Sequence, residues 1–201
     1  MASSRRGIGL LGGSFDPVHK GHLEIIQSFL DSGYINLLYV ILSPNPPHKE
    51  NRDLTDFKHR YKMLQDAMVG FENLSVSTIE KELPKPSYTI NTISHFNDEF
   101  PNDKLYLCIG EDSYVEFTGW YKWEEILKMC KLLVASRPEA KKNNLPEKLR
   151  ESACFIEHEA IDISSSEIRE KIRMGDDVKD LLPDSVWSYI KKHRLYGIDN
   201  E

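Results

Sequence analysis

The chain has few cysteines and no long apolar run, and both absences exclude classes of protein. Its three cysteines, Cys108, Cys130 and Cys154, include no CxxC pair and form no closed set of disulfides, which favours a reducing compartment. No apolar stretch approaches membrane-spanning length, and the run that ends at Leu11 is too short for a signal-peptide core. We therefore expect a cytoplasmic protein without a membrane partner.

The chain also lacks an excess of positive charge. Acidic residues number 32 against 26 basic ones, which gives a formal net charge of −6 at pH 7. A broad surface for nucleic acid needs the opposite balance, so we expect no nucleic-acid partner. A local phosphate site stays compatible, because a few cations and helix N-termini can form one. The oligomeric state does not follow from the sequence.

What is present is an alternation of short apolar runs and helix-periodic segments. The runs predict strands at 7–11, 37–42, 75–80, 104–109, 131–136 and 154–157, and the periodic segments predict helices at 21–32, 64–71, 89–99, 123–130, 164–174 and 183–193. This pattern predicts an α/β fold, with a Rossmann-like, mostly parallel sheet and helices on both faces. We expect one domain, with an α/β core at about 1–157 and a small helical C-terminal subdomain at about 158–201.

The first functional signal is the segment GGSFDPVHKGH over residues 12–22, directly after the first predicted strand. Glycines let the backbone turn sharply and approach a ligand, and the next helix offers free N–H groups to a phosphate. His19 and His22 could donate to the same phosphate chain. An ordinary turn with two incidental histidines is the alternative. No third ligand accompanies the pair, so zinc is not expected.

The second signal is ISSSEIR over residues 163–169. Hydroxyl groups at a helix start and Arg169 one turn later suit a triphosphate, since a guanidinium pairs well with phosphate oxygens. Ser164 and Glu167 also fit a capping box that needs no ligand. The two interpretations are compatible, because a cap would leave the other hydroxyl groups and Arg169 free.

These two elements together resemble the nucleotidyltransferase superfamily, and more closely the bacterial nicotinate mononucleotide adenylyltransferases. The resemblance runs from Gly12 to Tyr196. It is supported in order by PPHK at 46–49, PSYTINT at 86–92, IGED at 109–112 and FTGWYKW at 117–123.

The resemblance implies a role for each matching residue. His19, His22 and Arg169 would be catalytic through the reacting phosphates, with Ser165 and Ser166 beside the triphosphate. Further ATP contacts would come from Gly12, Gly13, Ser14, Phe15, Gly110 and Asp112.

For the acceptor, the resemblance implies that Trp120 stacks on the pyridine ring, which an indole face suits. Thr89 and the backbone at Tyr121 would receive its carboxylate. Asp112 would bind a ribose hydroxyl, and Lys49 would add positive charge from the polar loop at 43–56. Taken alone, Trp120 fits a packed aromatic and Asp112 fits a helix cap.

The implied reaction joins ATP to nicotinate mononucleotide by direct in-line transfer, with Mg²⁺ held mainly through ATP phosphates rather than by a dedicated protein site. Nicotinamide mononucleotide and phosphopantetheine are alternative acceptors within the superfamily. A nucleotide-binding regulator without turnover is the alternative from another class.

Overall fold

The computed structural model describes residues 5–44, 54–136, 145–159, 161 and 163–198. Its strands are β1 (Gly7–Gly13), β2 (Leu37–Leu42), β3 (Leu74–Ser77), β4 (Lys104–Gly110), β5 (Lys131–Ser136) and β6 (Ala153–Glu157). Its helices are α1 (Lys20–Asp31), α2 (Phe57–Ala67), α3 (Thr89–Glu99), α4 (Glu111–Val115), α5 (Trp123–Met129), α6 (Glu147–Glu151), α7 (Ser165–Met174) and α8 (Asp184–His193). Single 3₁₀ turns lie at Ile79–Lys81, Phe117–Gly119 and Leu195–Gly197.

The strands form one sheet in the order β3-β2-β1-β4-β5-β6. All the described pairings are parallel, including β1 with β2 and β1 with β4. The strand order therefore reverses between β1 and β4: β2 and β3 lie on one side of this pair, and β5 and β6 lie on the other. Ligands of such folds bind beyond the carboxyl ends of the strands at this reversal.

Side chains of the central strands alternate between two cores, one on each face of the sheet. In β4, Tyr106 and Cys108 pack in the core that holds α1, α2, α7 and α8. Leu105, Leu107 and Ile109 pack in the core that holds α3, α4, α5 and α6. This alternation is the two-residue period of a strand buried on both sides, and it confirms the predicted α/β class with helices on both faces.

The C-terminal helices complete one of these cores. Ile168 and Ile172 of α7 and Val186 and Ile190 of α8 are buried with the side chains of α1 and α2. They therefore share a core with the sheet, and the boundary at 157/158 between core and subdomain stays a prediction.

Several element bounds differ from the sequence-based prediction. The helix predicted at 64–71 begins earlier, at Phe57, and ends at Ala67, before Gly70 with its φ of 96°. The strand predicted at 75–80 spans Leu74–Ser77, and the chain then turns at Ile79–Lys81. The short helices α4 and α6 were not predicted, since a five-residue helix shows no periodicity. Of the loop predicted at 43–56, positions 45–53, including Lys49, lie outside the described residues.

Candidate active site

The two predicted histidines stand together at the start of α1. The backbone N–H of His19 donates to Nδ1 of His22 at 3.2 Å, and the two ring centroids are 3.7 Å apart. His22 also meets the edge of the buried Phe15 ring at 5.0 Å. The pair is therefore held at the N-terminus of α1, where the helix dipole favours an anion.

The imidazole of His19 is buried and electrically neutral. It is 5% exposed, and this burial lowers its pKa from 6.5 to about 4. Its Nδ1 atom has no hydrogen-bond partner within the described part of the chain. A buried polar atom without a hydrogen-bond partner carries a free-energy cost. A ligand that forms a hydrogen bond with Nδ1 of His19 would remove this cost.

Gly21 makes room for this ring. A Cβ atom built there would lie 3.2 Å from Nδ1 of His19 and 3.3 Å from its Cε1. Those separations are tighter than ordinary van der Waals contact, so any side chain at position 21 would displace the imidazole. Glycine at position 21 thus leaves the His19 ring undisturbed.

The second predicted segment docks on the loop that precedes α1. The Ser165 hydroxyl donates to the carbonyl of Pro17 at 3.0 Å. Arg169 donates through Nη1 to the carbonyl of Asp16 at 2.7 Å and through Nη2 to the Ser166 hydroxyl at 3.3 Å. The sequence suggested that Ser165 and Arg169 would be free, but both side chains are hydrogen-bonded. The two bonds of Arg169 use two of its five guanidinium N–H donors.

The cap predicted at α7 is present. The backbone N–H of Glu167 donates to Oγ of Ser164 at 3.2 Å, and the carboxylate of Glu167 accepts from the Ser164 backbone at 2.9 Å. The cap pairs two polar groups at the first turn of α7, and the contacts of Ser165 and Arg169 place this turn beside the loop before α1. The capping interpretation of this segment is therefore confirmed, and its role at a triphosphate stays a prediction.

Asp16 fixes the loop between β1 and α1, which the sequence analysis did not anticipate. Its side chain is 1% exposed, and it accepts from the backbone of Thr55 at 3.2 Å and from the Tyr196 hydroxyl at 2.8 Å. Burial, with the nearby Asp16 carboxylate as the second cause, raises the pKa of Tyr196. The C-terminal 3₁₀ turn is thereby joined to the histidine loop.

Arg60 is a second structural support that no sequence pattern indicated. Its side chain is 1% exposed. It donates to the carbonyls of Thr55, Ser14, Ser43 and Pro44 at 2.8, 2.8, 2.9 and 3.3 Å. Because these partners are backbone carbonyls, the residue types in the sequence do not predict the hydrogen bonds of Arg60. Arg60 ties the glycine-rich turn to both flanks of the loop that follows β2.

Two cavities open at the carboxyl edge of the sheet. The histidine cavity, of about 790 Å³, is lined by His19, Gly21, His22, Ile25, Gly110, Glu111, Asp112, Ser113, Ala135, Ser136, His158, Ile161, Ile163, Ser164, Ser165 and Ser166. The tryptophan cavity, of about 350 Å³, includes Gly12, Gly13, Ser14, Ser43, Glu80, Ser87, Thr89, Thr92, Gly110, Ser113, Trp120 and Tyr121 in its lining. They share Gly110 and Ser113, so one extended ligand could occupy both.

Most of the predicted site residues line one or both of these cavities, whereas Arg169 lines neither. Both histidines, Asp112, Ser165 and Ser166 line the histidine cavity, while Thr89, Trp120 and Tyr121 line the tryptophan cavity. Gly110 lines both. Of the other predicted ATP contacts, Gly12, Gly13 and Ser14 line only the tryptophan cavity, and Phe15 is a core residue at 2% exposure.

The tryptophan cavity contains polar groups that the sequence analysis missed. Ser87 is 7% exposed, and its hydroxyl has no hydrogen-bond partner among the described residues. It lies two residues before Thr89, which begins α3. An unpartnered hydroxyl beside a helix N-terminus is suited to a carboxylate. Its place within the quoted PSYTINT segment was the signal that could have found it.

Glu80 is the other unanticipated group in this cavity. It is 7% exposed, and burial raises its pKa. It accepts from the Ser43 hydroxyl at 2.7 Å and from the Thr92 hydroxyl at 3.1 Å. Glu80 therefore joins the end of β2 to α3 across the cavity wall.

The aromatic wall of the cavity is formed by the segment after α4. The Trp120 ring lies 5.1 Å from that of Phe117, and the Tyr121 ring lies 4.5 Å from that of Tyr88. Phe117 is fully buried, whereas Tyr121 is 51% exposed. A rigid indole is thus held by a core residue at the mouth of the cavity.

Neither a metal cage nor a membrane span is found in the described part of the chain. Residues 5–44, 54–136, 145–159, 161 and 163–198 contain no cluster of three or more histidine, cysteine or carboxylate side chains placed to hold a metal ion. Over the same ranges, no helix combines the length and apolar character needed to cross a membrane.

Known proteins are similar to this chain in sequence and in fold. The cytidylyltransferase-like family matches residues 10–171. A Clostridium tetani protein named "probable nicotinate-nucleotide adenylyltransferase" is 36% identical over 194 residues, covering 93% of this chain and 97% of its own length. A Pseudomonas putida (strain W619) protein of the same name is 34% identical over 218 residues, covering 99% of both chains.

Solved structures agree on the fold. The nicotinic acid mononucleotide adenylyltransferase of Plasmodium falciparum complexed with APC superposes with a TM-score of 0.79 at 20% identity, covering 98% of this chain and 100% of its own. The same Plasmodium enzyme complexed with NaAD superposes with a TM-score of 0.78.

Proposed function

The chain belongs to the nicotinate-nucleotide adenylyltransferases of the cytidylyltransferase-like family, and from this premise we propose how its cleft performs adenylyl transfer. The reaction joins the AMP moiety of ATP to nicotinate mononucleotide, forming nicotinate adenine dinucleotide and pyrophosphate in NAD biosynthesis. The observation that carries the assignment of the cleft is the meeting of two cavities at Gly110 and Ser113.

ATP is assigned to the histidine cavity. The N-termini of α1 and α7 converge there, and their serines and histidines line it. Two helix dipoles and several donors directed at one space favour a polyanion. The relative of known structure with APC bound supports a nucleotide site in this fold.

Nicotinate mononucleotide is assigned to the tryptophan cavity. The indole of Trp120 suits a cationic pyridinium ring. The pyridine carboxylate would be received by the N-terminus of α3 at Thr89, together with the hydroxyl of Ser87 and the backbone at Tyr121. The acceptor phosphate would then face the β1–β4 junction, where Gly110 lines both cavities.

In the proposed mechanism, a 5′-phosphate oxygen of the acceptor attacks the α-phosphorus of ATP in line, and pyrophosphate leaves. The attacking oxygen is already anionic, so the step requires no general base. His19, His22 and Arg169 position the phosphates and stabilise the charge that develops on them. His19 acts as a neutral donor, because burial holds its pKa at about 4.

Magnesium fits this arrangement as a companion of the nucleotide. The donors near the phosphate site are hydroxyls, imidazoles and a guanidinium rather than a carboxylate cage, and Mg²⁺ commonly binds through substrate phosphates and water. When bound, it would neutralise charge on the ATP oxygens. A cytoplasmic location and the part played by Lys49 also stay proposals.

The test is pyrophosphate release from Mg-ATP with nicotinate mononucleotide, nicotinamide mononucleotide or phosphopantetheine supplied separately. We expect a strong preference for the first acceptor in kcat/KM. Preference for another acceptor would overturn the assignment of the tryptophan cavity. Absence of release with all three, together with ATP binding, would favour the regulator without turnover.

A further inference from the structure

His158 is a histidine of the larger cavity that neither motif contains. It follows β6 directly, is 9% exposed and lines the histidine cavity. Its backbone N–H donates to the carbonyl of Ser136 at 3.1 Å, which continues the β5–β6 ladder by one residue. The imidazole is therefore held at a fixed place on the cavity wall.

The two contacts of the Ser28 hydroxyl favour one tautomer of His158. The Ser28 hydroxyl lies 3.0 Å from the carbonyl of Glu24 and 3.0 Å from Nδ1 of His158. A carbonyl can only accept, so the single hydroxyl hydrogen of Ser28 is directed at Glu24. Both contacts are hydrogen bonds at once only when Nδ1 of His158 donates to Ser28, and this tautomer leaves Nε2 without a proton in the neutral ring.

The ring is neutral near pH 7, so Nε2 is an acceptor. Burial lowers the pKa of His158, against a smaller opposing effect from the carboxylate of Glu24. Nε2 makes no hydrogen bond to any residue that the structure describes. Because Nδ1 is directed at α1 through Ser28 and the ring lines the cavity, this acceptor is available to a ligand.

The position of His158 along the cavity indicates which part of ATP it meets. The phosphates are assigned to the helix N-termini at His19 and Ser165, and the ribose to Asp112 on α4. The remaining wall is formed by the carboxyl ends of β5 and β6, at Ser136 and His158. The base is the part of the nucleotide left for this end.

We propose that Nε2 of His158 accepts a hydrogen bond from the exocyclic amino group of adenine, which makes His158 a specificity-determining residue for the nucleotide base. A nucleotide with a carbonyl oxygen at that ring position, as in guanine, would place two acceptors against each other. The inference rests on the assignment of the histidine cavity to ATP.

The test compares binding of ATP and of purine riboside triphosphate, which lacks only the amino group. Calorimetric titration of wild-type protein and His158→Phe gives both Kd values without turnover. The wild-type protein should favour ATP by about three- to tenfold, as expected for one neutral hydrogen bond. The ratio should fall to about one in His158→Phe. A ratio that is the same in both proteins overturns the proposal.

Two further measurements keep the outcome clear. Ser28→Ala removes the partner of Nδ1 outside the cavity and should weaken the preference for ATP while leaving the KM for the acceptor unchanged. In the wild-type protein, a nitrogen-15 spectrum of the histidine side chains should show the proton of His158 on Nδ1, and a proton on Nε2 would contradict the assignment. Failure of the proposed function would instead appear as absent pyrophosphate release by a protein that still binds ATP.

Discussion

Protonation of His19 should make the stability of the fold depend on pH in a defined window. The imidazole has a pKa of about 4 in the folded protein against 6.5 when exposed. Between these two pH values His19 is protonated in the unfolded chain but not in the folded protein, so the unfolding free energy falls as the pH falls. At about 1.4 kcal/mol per unit, the loss is about 3 kcal/mol between pH 7 and pH 4.

The assay is urea-induced unfolding at a series of pH values for the wild-type protein and His19→Gln. The amide cannot be protonated in this range, so the variant should lack this part of the pH dependence. Two other histidines, His59 and His158, have lowered pKa values as well. Only the difference between the two curves therefore reports on His19. Parallel curves from pH 7 to pH 4 would refute the reasoning.

The same residue should matter for catalysis at pH values where it is neutral. His19→Ala should lower kcat by about 100-fold, as expected for loss of one preorganised donor. Near-normal kcat in that variant would remove His19 from the mechanism, whatever its effect on stability.

Three other predictions follow from the cavity walls. Gly21→Ala should lower kcat about tenfold by displacing the His19 ring, while the unfolding free energy stays equal or rises, because alanine favours a helix; unchanged kcat would contradict the packing argument. Burial raises the Glu80 pKa, so the folded protein keeps a proton that the unfolded chain loses, and the unfolding free energy of the wild-type protein should fall as the pH rises above 4.5. Glu80→Gln should lack this decrease; identical pH profiles of the unfolding free energy in the two proteins would count against the argument. Trp120→Leu should raise the KM for nicotinate mononucleotide about tenfold and leave that for ATP unchanged, whereas the distant Trp187→Leu should change neither.

Much of this architecture could be predicted from periodicity because it depends on which residues are buried. The strand at Leu37–Leu42 and the helix at Thr89–Glu99 have the predicted bounds, since each is flanked by turn residues that end the pattern. The helix ending at Ala67 was misjudged because Met68 is also buried. Its apolar spacing therefore continued past the point where the backbone stops being helical.

The candidate site was predictable only where motifs are contiguous in sequence. Arg60 binds backbone carbonyls, and Asp16 binds a backbone N–H and a tyrosine 180 positions away. Such partners leave no local pattern. Glu80 enters the cavity because the chain turns after Ser77, and the orientation of a turn depends on packing rather than on residue type. His158 acquires its proposed role from Ser28 on another element.

The most direct test of the account follows the label from ATP carrying radioactive α-phosphorus, with Mg²⁺ and nicotinate mononucleotide. Transfer predicts that the label enters nicotinate adenine dinucleotide, with one unlabelled pyrophosphate released for each dinucleotide formed. Label recovered as free AMP or ADP, or retained in ATP while the protein binds both nucleotides, would contradict it.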